Sequence, residues 1–122
     1  MSQLAIVQRS PVFLDKTKTI EAAVAAVAEA KAKGAELVVF TEAFIPGYPT
    51  WIWRLRPGGD WDLSEQLHQR LLKNAVNLGS DDLVPLYQAA KKHQVTTGAS
   101  GHGVYTEKAS RIEVIRKQPM AR

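Results

Sequence analysis

"AELVVFTEAFIPGYPTWIW", residues 35–53, runs an apolar strand into a lone carboxylate and then into a turn of prolines and aromatics. Apolarity without alternation from Leu37 to Phe40 suggests a strand at 35–40 that is covered on both faces, as in a sheet beneath helices. Upstream, "LAIVQ" (Leu4 to Gln8) is a second short apolar run, ended by Arg9, Ser10 and Pro11, and reads as a buried strand. Between the two, Ile20, Ala23, Val24, Val27 and Ala30 recur at three and four residues, which predicts an amphipathic helix. Asp15 or Thr17 caps its start, and Gly34 stands where a left-handed residue ends it. Strand, helix and strand form a βαβ unit, so the strands should be parallel with a right-handed crossover. Glu42 then falls just past the carboxyl end of the second strand, the edge where open α/β sheets assemble their sites.

Downstream, Leu63 to Leu78 reads as a helix with Leu67, Leu71, Leu72, Ala75 and Val76 on its apolar stripe and Gly79 at its end. "SDDLVPLYQAAKKHQ" begins another, with Ser80 as N-cap, Pro85 in the first turns and Leu83, Leu86, Tyr87 and Ala90 facing inward. Val95 to Ala99 is a weaker third strand. From Gly98 the chain becomes glycine-rich and basic, with a single further strand candidate at Arg111 to Ile115. The reading divides the chain into 1–97, one half-domain, and 98–122, a divergent tail, out of frame or disordered.

A chain of 122 residues is one domain by length, and its 45% apolar and 23% charged residues are ordinary for a globular protein. No apolar run approaches the ~20 residues of a membrane span, and no signal segment precedes "LAIVQ", so the default compartment is cytoplasmic. The net charge of +4 sits mostly in the tail. Residues 1–101 hold eleven Lys and Arg against ten Asp and Glu, whereas residues 102–122 hold five against two. No basic helix interleaved with aromatics is present, which argues against nucleic-acid binding. Cysteine is absent, so this chain offers no disulfide, no thiolate ligand and no thiol nucleophile. His68, His93 and His102 lack metal-ligand spacing.

A carboxylate set against aromatic and proline side chains is expected to be desolvated, its pKa raised towards the range of a general base. The neighbours of Glu42 sharpen that expectation. "VVFTEAFIPGYPTWIW", Val38 to Trp53, closely resembles the nitrilase branch of the carbon-nitrogen hydrolase superfamily, where a strand leads to a Glu, an apolar pair, Pro-Gly-Tyr-Pro and tryptophans. Thr41 stands where a Pro often precedes the Glu. The resemblance extends over Leu4 to Val95. It implies an α/β fold, the amino-terminal half of a nitrilase-like α-β-β-α sandwich, and hydrolysis of a nitrile to a carboxylic acid and ammonia by a Glu-Lys-Cys triad without cofactor.

By that resemblance Glu42 is the catalytic general base, and Tyr48, Trp51 and Trp53 line the substrate pocket or pack its wall. "IRKQP" (Ile115 to Pro119) superficially offers Lys117 for the family lysine, but no Leu-Tyr-Asn-Thr strand precedes it. The family's Cys-Trp-Glu segment is missing. The expectation is therefore a nitrilase-type chain cut before its nucleophile and inactive alone, from a frameshift or an early stop. The alternative is a non-catalytic interaction module or assembly partner of a full-length nitrilase. Half a sandwich leaves apolar faces uncovered, so a homo-oligomer or self-associating fragment is expected.

Overall fold

In the computed structural model, residues 3–105 and 108–116 are described, with side chains described for residues 3–98. The elements run in the order β1 (Leu4–Val7), α1 (Lys16–Ala32), β2 (Leu37–Phe40), α2 (Trp61–Lys73), α3 (Val84–His93), β3 (Thr96–Tyr105) and β4 (Lys108–Arg116), with a short 3-10 helix at Thr50–Trp53. The fold is mixed α/β. Its four strands form one sheet in the order β1-β2-β3-β4. The first three are parallel, with Leu4 opposite Leu37 and Leu37 opposite Thr96, and β4 returns antiparallel from Tyr105↔Lys108 to Thr97↔Arg116.

The βαβ expectation is met in its elements. Asp15 is the N-cap of α1 and its side chain accepts from the Lys18 N–H at 3.0 Å, and Gly34 follows the C-cap residue Lys33 at φ 90°. A residue with a Cβ resists that φ, and a Cβ built on Gly34 would lie 2.8 Å from Gln3 Oε1. Ile20, Ala23, Val27 and Ala30 are buried on the inner stripe of α1, as the spacing implied, and Val24 is half-buried. They pack with Val7, Val38 and Phe40 of the sheet and with Leu86 and Ala90 of α3 in one core.

Three expectations change on contact with the structure. The first concerns β1, which lies at the sheet edge and buries only Val7, leaving Leu4 56% and Ile6 65% exposed. Helices cover one face of the sheet, and the other face, carrying Leu4, Ile6, Leu37 and half-buried Val39, is uncovered among the described residues. The continuous apolarity of β2 thus coexists with an alternating burial of exposed, buried, half-buried and buried side chains.

The second concerns α2, which ends at Lys73 rather than Leu78. Asn74 stops it: its Nδ2 donates to Arg70 O at 3.0 Å while its Oδ1 accepts from the Lys16 backbone N–H at 3.2 Å. Of the expected stripe Leu71 is buried and Leu67 half-buried, Leu72 is exposed, and Ala75 and Val76 are buried beyond the helix. The third concerns Ser80, which does not cap α3. Its hydroxyl donates to Asn77 O at 2.9 Å and accepts from the Asp82 N–H at 3.3 Å, building a turn, and α3 starts at Val84 with Pro85 in its first turn. At the carboxyl end of the chain, β3 extends beyond the expected Val95 to Ala99, and β4 contains the expected Arg111 to Ile115.

Candidate active site

Glu42 sits two residues past the end of β2, an interior strand of the sheet, at the carboxyl edge the sequence pointed to. The segment after it is anchored inward. Ala43, Phe44, Ile45, Pro46 and Gly47 are all buried, and Phe44 lies against Phe40 with ring centroids 5.1 Å apart. The Ile45–Pro46 bond is cis, and the Leu14 N–H donates to Pro46 O at 3.0 Å, tying the loop to the start of α1. Gly47 has φ 130°, and a Cβ there would meet Phe13 Cδ2 at 2.9 Å.

The apolar pair and the Pro-Gly turn therefore act as a plug that fixes the loop. Ala43, directly after Glu42, holds φ 51°, a left-handed conformation that a non-glycine residue adopts only when its surroundings impose it. Glu42 itself is exposed. The burial expected to desolvate its carboxylate is not supplied by the described residues, because the neighbours that were to enclose it turn inward or away. Phe44 and Pro46 enter the core under the loop instead of standing over the carboxylate.

The three aromatic candidates separate. Trp51 is buried in a small cluster with Leu14 and Leu71, and meets Phe13 edge-on with centroids 5.9 Å apart. Tyr48 is exposed, and Trp53 is 78% exposed on the 3-10 helix. Three surface clefts, beside β1, between α1 and α2, and between α1 and α3, contain none of Glu42, Tyr48, Trp51 and Trp53. Lys117 lies outside the described residues. His68 and His93 lie on different helices, and no group of three or more His, Cys, Asp or Glu among the described residues is placed to share an ion. Among the same residues no helix is long and apolar enough to cross a membrane.

Sequence reasoning missed the polar staple between the start of α1 and the turn before α3. Lys16 Nζ meets Asp82 Oδ2 at 2.8 Å and Ala75 O at 3.4 Å, and Asp82 Oδ2 also accepts from the Asn77 N–H at 2.9 Å. Partial burial pushes the Asp82 carboxyl up, but the hydrogen bonds from Lys16 and from the Asn77 and Ser80 groups, with the Lys16 charge, hold it below its ordinary value. Partners 66 residues apart leave no local signal in the sequence.

Residues 3–112 match the family model described as Carbon-nitrogen hydrolase. The chain is 37% identical over 93 residues to an arylacetonitrilase of Aspergillus oryzae, which covers 76% of this chain and 26% of that protein. It is 45% identical over 78 residues to a nitrilase of Bacillus sp., 64% of this chain and 22% of the relative, and 37% identical over 94 residues to an aliphatic nitrilase of Rhodococcus rhodochrous, 76% and 25%. The chain spans about a quarter of the length of the curated relatives it matches. With residues 3–112 of its 122 matched by the family model, from β1 into β4, this chain belongs to the carbon-nitrogen hydrolase family.

Proposed function

We propose that this chain is the amino-terminal, base-bearing part of a nitrilase-type hydrolase, with Glu42 the general base and the nucleophile supplied by residues outside these 122. The observation that carries the reading is the placement of Glu42 at the carboxyl end of an interior strand, on a loop fixed by buried residues on its far side. A base must be held within hydrogen-bond reach of the proton it moves, and a plugged loop provides that positional constancy.

In this reading a cysteine thiolate adds to the nitrile carbon after Glu42 takes the thiol proton. Glu42 then relays protons from two water molecules as ammonia and the carboxylic acid leave. A lysine ammonium stabilises charge developing on the substrate nitrogen. This chain contains no cysteine, so alone it performs no such turnover. The substrate class is a nitrile, in keeping with the names of the relatives. Tyr48 and Trp53, both exposed, are available to wall a pocket that other residues complete, while Trp51 supports the loop from below. In the same reading residues 1–97 are the nitrilase-like unit, completed as an α-β-β-α sandwich by a second sheet, and 98–122 contribute no member of the triad. The uncovered sheet face makes the isolated chain self-associate.

The test is a chimera in which residues 1–95 are joined to the remaining length of the Bacillus nitrilase and assayed for ammonia release from an arylacetonitrile and an aliphatic nitrile. The chimera should hydrolyse a nitrile and lose at least a hundredfold in rate on Glu42→Gln, the usual scale of general acid-base catalysis. The 122-residue chain alone should release none. Turnover by the chain alone, or a Glu42→Gln chimera as fast as its parent, would refute the assignment. Translating the encoding DNA beyond the codon of Val95 in three frames separates a shifted reading frame from an evolved short chain. The second reading, a non-catalytic assembly partner, rests on the absence of cysteine together with the uncovered sheet face. It predicts co-purification with a full-length nitrilase.

A further inference from the structure

The outer edge of β1 is a row of backbone groups that pair with nothing among the described residues, since β1 ends the sheet and bonds only to β2. Natural sheets protect such an edge with proline, a bulge, an inward charge or a covering segment. Apart from its shortness Leu-Ala-Ile-Val has no such protection among the described residues, and the nearest proline, Pro11, lies beyond the strand. Alongside the edge runs a cleft of about 350 Å³, lined by residues 5–9 and, across from them, by Ala26, Glu29 and Ala30 of α1 and its C-cap residue Lys33. Val7, Ala26 and Ala30 are buried, so the floor is apolar, and two of the three are too small to fill it.

The rim is charged and unbalanced. Glu29 accepts from Arg9 Nη2 at 2.5 Å and from Lys33 Nζ at 3.1 Å, so two cations share one carboxylate. We propose that the free edge of β1 receives an added strand from a partner polypeptide, an extended segment with apolar residues at alternate positions and a carboxylate that meets Arg9 and Lys33. Backbone bonds to β1 supply the affinity, every second side chain enters the cleft, and the charge at its mouth selects the sequence. A second copy of this chain fits less well. Its own β1 is flanked by Gln3, Gln8 and Arg9 and would bring another cation, not an acid. The inference stands apart from the hydrolase reading, because the edge and cleft do not include Glu42.

The experiment uses the full 122-residue chain labelled with nitrogen-15 and two blocked six-residue probes, Thr-Val-Glu-Val-Thr-Val and its counterpart with Lys in place of Glu. The acidic probe should slow hydrogen exchange at the amides of residues 4–7 by about tenfold, and bind at least tenfold more tightly than the basic one. Arg9→Glu, and separately Lys33→Glu, should reverse that preference; both side chains are exposed, and unchanged far-UV circular dichroism verifies the fold. Three results would overturn the proposal: no slowing at millimolar probe, slowing indifferent to the probe's charge, or protection that rises with protein concentration alone. The last would assign the edge to a second copy. If a variant misfolds, the comparison of the two probes on the unaltered chain still decides.

Discussion

The two faces of the sheet are built from similar residues and meet different fates. Val7, Val38 and Phe40 point to the helices and are buried, Val38 completely, while their neighbours Leu4, Ile6 and Leu37 point the other way and are exposed. Strand alternation alone decides which residue lands where. Both faces are written in apolar residues, yet the described residues provide one covering layer. The lesson is that strand sequence records how many layers a sheet is suited to, and the fold of a given stretch records how many it supplies.

The contrast is sharpest under truncation. Phe40→Ala removes a buried ring that packs on Phe44 beneath the Glu42 loop, and should cost about 3–5 kcal/mol, the usual range for a core aromatic. Urea unfolding followed by circular dichroism reads it. In a small domain whose whole stability is about 5–15 kcal/mol, that change approaches complete unfolding.

The covered face depends on α1 and α3 staying on it, and the Lys16–Asp82 staple joins their starts. Both side chains are about one-fifth exposed, so the pair is screened only in part. Lys16→Met should lose about 1–3 kcal/mol, because Asp82 and Ala75 O forfeit a charged donor in a partly dry site. The pH dependence has a definite sign. The folded pKa of Asp82 is depressed, so its contribution is complete above the ordinary aspartate value near 4 and disappears as pH falls through the lower folded value. Unfolding midpoints measured from pH 7 to pH 2 should drop in the acid range, and the drop should be smaller in Asp82→Asn. Equal slopes in the two proteins would remove the staple from the account.

How much of this was legible follows from how local each cause is. The cap at Asp15, the stripe of α1 and the turn at Gly34 are set by residues within four positions of one another, and the spacing located all three. The position of Glu42 was legible for the same reason, since it needs only the end of β2 and the start of a turn. Its exposure was not, because burial depends on whatever packs over the loop from elsewhere in the chain. Likewise the burial of Val7 but not Ile6 is a matter of which layers exist, and Trp51 against Trp53 is decided by Leu14 and Leu71 arriving from distant segments. Ser80 misled because its hydroxyl bonds Asn77 O and the Asp82 N–H in a turn instead of capping α3, and the end of α2 at Asn74 was hidden because Asn74 Oδ1 accepts from the Lys16 N–H, 58 residues away.

Thr97 tests the covered face at its weakest point. It is buried on the helix side next to Val38, and its hydroxyl has no hydrogen-bond partner among the described residues. Burying a hydroxyl without a partner is unfavourable, so Thr97→Val, which keeps the shape and removes the polar atom, should raise stability by up to about 1 kcal/mol. A loss of more than that in thermal unfolding would show that the hydroxyl is satisfied in solution.

Ile6 asks the opposite question, and it has the smallest expected effect on folding. A buried isoleucine cut to a small side chain ordinarily costs about 2–5 kcal/mol. At 65% exposure on the uncovered face, Ile6→Ser should change the stability of the monomer by no more than about 0.5 kcal/mol, the scale of surface substitutions. What it should alter is association. If the bare face of Leu4, Ile6 and Leu37 drives self-association, light scattering across a concentration series should show Ile6→Ser shifting towards monomer while the matched Val7→Ser variant unfolds. A large loss of stability in Ile6→Ser at a concentration where the parent is monomeric would mean that this face is covered after all, and the distinction between the two faces would collapse.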